Sequence, residues 1–544
     1  MMKRFTQTLL LSLLLSVAAF GQQEPADMVL LNGKVFTADS GKPFAEAVAI
    51  RGERIIAIGT SAEVEKLAGA TTRRIGLQGR AVVPGFNDAH FHFVPMPQGY
   101  FLEFRTMEPN WEETSAAIEA AVKQAPAGTW IFGYVGPAVA TNPEVTRTVL
   151  DRLAPNHPVL LMAFTGHGYI LNSRAMPLLQ IAEKEADPAG GYFERDADGS
   201  KRINGRYWEY ANWRSSRVLS DRVTDEEAVK ALREMAAAAV RYGITSMQIM
   251  SFMRIDRFAR LLTKADLPIR VRAIPLPLTT RQGRDLSEIR QLGKINESSP
   301  KVTVGGIKWV LDGTPIERAA AVRRPYKDRP NWRGKLNFPE SDIAAMVRES
   351  LEYKQQLLAH CIGDRACEAL LDALEKVSGK LDWKAKRVRI EHGDGLMADS
   401  ILRAAKLGVI VVQNPTHFSF TELMQSRWGA EVSPIRSLLE AGVTLAFGSD
   451  GPMNPYLNIM FATIHPSNPK EAITLEQAVR AYTYGSAFAE FAEGDKGTIA
   501  KGKLADLVVL SQDIFAAPVP ELPKTSSLLT IVDGKIVYDA QILK

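Results

Sequence analysis

Cysteine is nearly absent: the chain has two in 544 residues. That excludes a disulfide-stapled scaffold. Cys361 and Cys367 stand six apart across an expected strand-to-helix step, a spacing that is hard to bring within disulfide reach, so free thiols are expected. Charge of one sign is lacking too. Lys+Arg number 66 against 61 Asp+Glu, a net +5, and Lys3 and Arg4 supply two of those charges. Such a balance gives no support for a nucleic-acid or polybasic membrane partner. No tandem repeat or low-complexity tract is found. No apolar run reaches the roughly 20 residues that a membrane span needs, so no integral span is expected. What remains is ordinary globular composition, 46% hydrophobic and 23% charged, with room for about two to four domains.

The N-terminus reads as a leader. Lys3-Arg4 precedes the apolar run Leu9 to Phe20, and Ala19-Phe20-Gly21 fits a small-x-small cleavage site. Residues 1–21 are therefore expected to be a signal peptide, with Gln22 beginning an exported chain, periplasmic or secreted. No cysteine follows the run, which speaks against a lipid anchor.

Short strands mark both ends. Met28 to Phe36 and Ala47 to Gly59 read as hairpins, the second turning at Gly52. Ala505 to Leu510 reads as a strand, and Ile531 to Tyr538 as a hairpin turning at Asp533-Gly534. These predict one small β-sandwich built from residues 22–84 and 496–544. Between them, over 85–495, apolar strand-like runs alternate with helical stretches such as Asp225 to Tyr242, Ser341 to Lys354 and Thr474 to Tyr484. The runs are Ala81–Pro84, Ile244–Met250, Ile269–Ile274, Gly306–Leu311, Gln356–His360, Arg387–His392, Val409–Gln413 and Thr444–Gly448. Eight βα units predict an α/β fold, a distorted (β/α)8 TIM barrel with its chemistry at the C-terminal strand ends. Trp130–Gly136 and Pro158–Phe164 fall in a gap too long for a crossover, so an insertion after the first barrel strand is expected over about 100–240.

Of eight histidines, four sit at expected strand ends: His90, His92, His360 and His392. The strand period of two points His90 and His92 the same way. Four imidazoles on one rim suit a divalent metal, zinc above all. Asp450, in Gly448-Ser449-Asp450-Gly451, is the general-base candidate, against an Asx-turn or helix cap. Lys308 is out of place in an apolar parallel strand. Three alternatives stand: it snorkels to solvent, it forms a Schiff base, or it is carboxylated, which would offset the charge of two metal ions. His167, in the insertion, could polarise a substrate carbonyl or simply be a backbone-bonded loop residue. His417 is a candidate substrate contact. His157 and His465 look like turn residues, Asp88 like a structural one, and Arg389 with Glu391 like a pair supporting His392.

Val83-Pro84-Gly85-Phe86-Asn87-Asp88-Ala89-His90-Phe91-His92 resembles the first-strand signature of the metal-dependent amidohydrolase superfamily. Leu358-Ala359-His360, Arg389-Ile390-Glu391-His392 and Gly448-Ser449-Asp450 resemble its later metal and base positions. Gly166-His167-Gly168, Leu171-Asn172-Ser173 and Asp187-Pro188-Ala189-Gly190-Gly191 resemble the amidohydrolase family 3 branch, which includes N-substituted formamide deformylase. The resemblance implies that His90 and His92 hold a buried metal with Asp450, that His360 and His392 hold a second, and that carboxylated Lys308 bridges the two. One-metal use would leave His392 as a supporting or substrate residue.

The expected function is hydrolysis of a small-molecule amide by metal-activated hydroxide, with Asp450 as base and one or two zinc ions per chain. A deaminase, an ester hydrolase on the same metal and an exported non-catalytic binding protein are the alternatives. An oligomer of identical chains is left open. Tyr192, Phe193, Tyr207, Trp208, Tyr210 and Trp213 crowd one stretch of the insertion. Trp208 and Tyr210 are expected either to close over a bulky neutral N-substituted amide or to pack in the insertion's own core.

Overall fold

The computed structural model describes residues 24–543, apart from 107, 296–298, 378–380 and 429–431. The expected leader, 1–21, lies outside the described residues.

Two outer sheets form around one apolar core. Ala26–Leu31 pairs antiparallel with Ala47–Arg51 and parallel with Ala68–Gly76, and Arg54–Gly59 completes this sheet. The second sheet joins both ends of the chain in the order Lys535–Asp539, Ser527–Val532, Leu507–Leu510, Ala81–Pro84, Lys34–Phe36 and Phe44–Ala45. Leu30, Val48, Ile50, Val82, Leu507 and Ile531 meet between the two. The hairpin at Gly52 (φ +57°) and the one at Asp533-Gly534 (φ +52° and +70°) form as expected. The hairpin expected over Met28 to Phe36 does not. Asn32 (φ +59°) redirects the chain, and its two strands enter different sheets.

Two parallel sheets carry the site. One contains Phe86–Phe93, Ile244–Ser251, Arg270–Pro275 and Val302–Val304. The other contains Ile307–Val310, Leu357–Cys361, Arg389–His392, Ile410–Gln413 and Leu445–Phe447. Most of their strands are buried on both faces, Ile244–Ser251 along its whole length, because helices cover the outside. The helix Asp225–Arg241 is one of these. Thr224 and Glu227 form a capping box at its start, and Leu232, Ala236 and Ala239 face inward at helical spacing. The two sheets adjoin at both edges: Arg270–Pro275 packs beside Ile307–Val310, and Phe86–Phe93 beside Leu445–Phe447. Among the described residues no strand ladder crosses either edge. The arrangement is therefore barrel-like, not one closed hydrogen-bonded cylinder.

The first barrel strand is not where the sequence placed it. Val82 and Val83 of Ala81–Pro84 pair with Val509 and Val508 in the outer sheet. Gly85 then lets the chain turn inward, since a Cβ there would lie 2.2 Å from Thr245 Oγ1. Phe86–Phe93 is the first parallel strand, so His90 and His92 lie within it. The fourth strand is broken at Gly305-Gly306, where Gly306 takes φ +89°. The insertion forms its own six-stranded sheet, from Tyr100–Phe101 to Ile203–Glu209, with separate apolar clusters. Cys361 and Cys367 are buried and free.

First and last parallel strands meet closely. Asp450 N donates to His90 O at 3.0 Å, and Ser449 N donates to Asp88 at 2.9 Å. A Cβ on Gly448 would lie 2.4 Å from His90 N. Gly448→Ala should cost about 1–3 kcal/mol of stability through this overpacking. Gly76→Ala, with nothing within 4 Å of its added carbon, should stay within about 0.5 kcal/mol. Equal melting temperatures for the two variants would contradict this packing.

Candidate metal centre

The strand geometry fixes two imidazoles before any ion is considered. His90 is fully buried, and its Nδ1 lies 2.6 Å from Glu391 Oε2. Glu391 in turn accepts from Arg389 Nε at 2.7 Å. Burial alone would raise the Glu391 carboxyl, but Arg389 and Lys308 outweigh it and hold it below the usual range. His92 Nδ1 lies 3.1 Å from Met250 O. A carboxylate and a carbonyl only accept, so both Nδ1 atoms carry the proton and both Nε2 atoms present lone pairs. Those Nε2 atoms are 3.2 Å apart. Asp450 Oδ1 lies 3.7 and 3.8 Å from them, and Asp450 Oδ2 lies 3.8 Å from His392 Nε2.

His90 Nε2, His92 Nε2 and the Asp450 carboxylate thus converge as acceptors with no donor among the three. Burial keeps the rings neutral: His90 is lowered, His92 is lowered to about 4, and His392 lies well below its ordinary value. Burial would raise the Asp450 carboxyl, but charge gained by His90, His92 and His392 on acidification outweighs burial and holds it below the carboxylate range. A divalent cation resolves this convergence, and the nitrogen-plus-carboxylate set suits one. His90, His392 and Asp450 offer ligand atoms within 4.8 Å of one another. His392 (φ +73°) and Asp450 (φ +39°) both sit in the left-handed region, a strain typical of functional sites.

Further polar atoms lack partners here. His360 Nε2, His392 Nδ1 and Lys308 Nζ are buried without a hydrogen bond. His360 stacks edge-on against His392 at 4.5 Å between centroids. Lys308 is 1% exposed, and burial lowers its ammonium to about 8. It does not reach solvent, which removes the snorkelling alternative. Of the six residues expected as metal ligands, His90, His92, His392 and Asp450 thus lie together, His360 packs on His392, and Lys308 lines the same cavity.

His167 also faces it, 4.9 Å from His360 between centroids. Its Nδ1 bonds to Glu209 at 3.0 Å. Burial opposes its charge, but Glu209 outweighs burial and raises it. His417 Nε2 lies 3.2 Å from Asp450 O, with its ring stacked on His392. His157 and His465 bond backbone carbonyls, and Asp88 accepts from the His90 and Ser449 backbones. Arg389 and Glu391 support His90 more directly than His392.

Trp208 and Tyr210 do not line the cavity. Trp208 is fixed by Glu194, 2.7 Å from its Nε1. Tyr210 is buried against Trp213 and Phe338, and its hydroxyl accepts from Val310 N. Both rings are core, which corrects their expected contact with substrate. Trp213 is the ring from this stretch that does reach the cavity, beside Phe91 and Phe252. The cavity has two lobes that share Phe164, Thr165, His167, His360, His392 and Asp450. The larger, of about 540 Å³, includes Phe91, Val94, Met96, Trp213, Phe252 and Leu276. The smaller, of about 130 Å³, includes Thr165, Thr314, Asp394 and His417. Sequence reasoning missed Glu209. The one available signal was a charged residue amid the aromatic run Tyr207-Trp208-Glu209-Tyr210.

The sequence profile described as "Amidohydrolase family" matches residues 73–538. "Protein LONG AFTER FAR-RED 3" of Arabidopsis thaliana is 28% identical over 557 aligned residues, covering 94% of this chain and 92% of that one. "N-substituted formamide deformylase" of Arthrobacter pascens is 28% identical over 548, covering 94% and 98%. A crystal structure of an uncharacterized metal-dependent hydrolase from Pyrococcus horikoshii OT3 shares the fold, with a TM-score of 0.70, 21% identity and coverage of 91% and 99%.

The Arg389–Glu391–His90 chain predicts a measurable effect on metal retention. Glu391→Gln weakens the hold on the His90 tautomer and should lower metal affinity about 10- to 100-fold, read by competition with a chelator. Unchanged affinity would show that the chain does not support the centre.

Proposed function

The chain belongs to the amidohydrolase family, and on that premise we propose that it hydrolyses the carbon–nitrogen bond of a neutral, N-substituted small-molecule amide. The observation that carries this reading is the convergence of His90 Nε2, His92 Nε2 and Asp450 beside an open cavity. These residues, with His392 and His360, would hold a zinc-like divalent ion, which when bound supplies a Lewis acid that acidifies water and polarises a carbonyl.

The chain's own groups divide the remaining work. Asp450 keeps 22% of its side chain open to the cavity. Held ionised, it accepts a proton from the attacking water and returns it to the departing nitrogen. His167 hydrogen-bonds the substrate amide from the opposite wall. His417 steadies the Asp450 backbone and borders the smaller lobe. Trp213, Phe252 and Phe91 exclude water and favour an apolar N-substituent in the larger lobe. Among the described residues that line the two lobes, Lys308 is the one Lys or Arg, which disfavours a strongly anionic substrate. Lys308 itself, buried and without a partner, is suited to reaction with carbon dioxide. The ammonium would first lose one proton, the amine nitrogen would bond the carbon of carbon dioxide with loss of a second, and the resulting carbamate would offer oxygens toward the ligand set. The relative named as a deformylase of N-substituted formamides supports the amide over other acyl substrates.

The test is hydrolysis of a panel of N-substituted amides by protein of known metal content. Chelation should abolish turnover and zinc should restore it, at one to two ions per chain. Asp450→Asn should keep the fold and most of the metal, and lose about 10²-fold or more in kcat. Full activity of the metal-free protein, or near-normal turnover of Asp450→Asn, would overturn the proposal.

Lys308 gives a separate readout. Intact mass of gently handled protein should show the added carboxyl group, and Lys308→Ala should lose metal. A Lys308→Ala protein with full metal and activity would remove the lysine from the centre.

A further inference from the structure

Glu209 lies outside the metal ligands and directly behind His167, which lines the cavity. It ends the last strand of the inserted sheet, Ile203–Glu209. Its φ is +58°, a conformation that a residue with a side chain keeps only where its surroundings over-determine it. Two contacts of opposite sense tie it to His167. Glu209 N donates to His167 O at 3.0 Å, and its carboxylate oxygens lie 3.1 and 3.0 Å from His167 Nδ1. Both residues are buried, at 2% and 7% exposure.

The surroundings hold this pair from both sides. Asn337 Nδ2 donates to Glu209 Oε2 at 3.1 Å. Gly313 makes room for the other oxygen, since a Cβ there would lie 2.5 Å from Glu209 Oε1. Behind the imidazole, Trp213 Nε1 and Asn212 Nδ2 both donate to Gly166 O, at 2.9 and 3.1 Å. With Nδ1 given to the carboxylate, the ring has one nitrogen left. His167 lines both lobes of the cavity together with His360, His392 and Asp450.

We propose that Glu209 is a positioning residue for the amide reaction. From the inserted sheet it fixes the tautomer and orientation of His167, so that Nε2 meets the substrate beside the metal centre. This rests on the function proposed above. The dyad gives the insertion a chemical role in that reaction, because the carboxylate ends a strand of the inserted sheet, the imidazole it orients lies in the turn just before another, Gly168–Leu171, and neither belongs to the parallel strands.

The test is a double-mutant cycle on metal-loaded protein with an N-substituted amide that the wild type cleaves. Glu209→Ala should lower kcat about 10- to 100-fold, with KM within about threefold and metal content unchanged, and Glu209→Asp should recover part of the loss. In a His167→Ala background, Glu209→Ala should cost nothing further, because residues that act as a unit are not additive. The same fold-loss in both backgrounds would overturn the proposal. If Glu209→Ala does not fold, Glu209→Gln, which keeps the shape and loses the charge, enters the same cycle. If the wild type cleaves no amide, the proposed function falls, and imidazole nitrogen-15 shifts decide the dyad. A His167 signal with Nδ1 protonated in the wild type and altered in Glu209→Gln supports it, and an unaltered signal refutes it.

Discussion

Everything at this site follows from two lone pairs that face each other. Glu391 takes the Nδ1 proton of His90, and the Met250 carbonyl takes that of His92, so neither ring can turn a donor toward the other. At 3.2 Å, with the Asp450 carboxylate beside them, the arrangement is repulsive unless a cation lies among these atoms. Desolvation makes the repulsion worse by keeping both rings neutral. A local conflict of this kind, held in place by a buried Arg389–Glu391 pair, marks a functional site and does not stabilise the fold by itself.

The surrounding architecture makes the conflict sustainable. Parallel strands buried on both faces leave side chains little freedom. Gly85 and Gly448 let neighbouring strands approach within the reach that these ligands need. The inserted sheet covers the rim and adds a second buried pair, His167 with Glu209, so that two imidazoles on opposite walls are oriented by carboxylates from different parts of the chain. The outer sheets share one core drawn from both termini, which ties the first and last thirds of the sequence together beneath the centre.

Much of this was legible in the residues themselves. His90, His92, His360, His392, Lys308 and Asp450 stood out because polar groups are unexpected at the ends of apolar strands, and the structure gathers them. The alternation of strands and helices pointed to barrel-like α/β architecture. Other features were not legible. Ala81–Pro84 is as apolar as any barrel strand, and its place in the outer sheet depends on pairing with Val508 and Val509 more than 400 residues away. The aromatic run around Trp208 and Tyr210 has the composition of a lid and also that of a core. Only packing separates Trp213, which reaches the cavity, from its neighbours, which do not. Glu209 stayed hidden because its meaning depends on His167, 42 residues earlier, across a strand pairing that composition does not reveal.

The most direct measurement is a crystal of zinc-loaded protein with diffraction recorded on both sides of the zinc absorption edge. The account predicts an anomalous peak among His90 Nε2, His92 Nε2 and Asp450, about 2.0–2.2 Å from each ligand atom, with the Glu391 and Met250 contacts kept. Crystals from protein with stoichiometric zinc that show no peak there, and zinc only at surface residues, would contradict it.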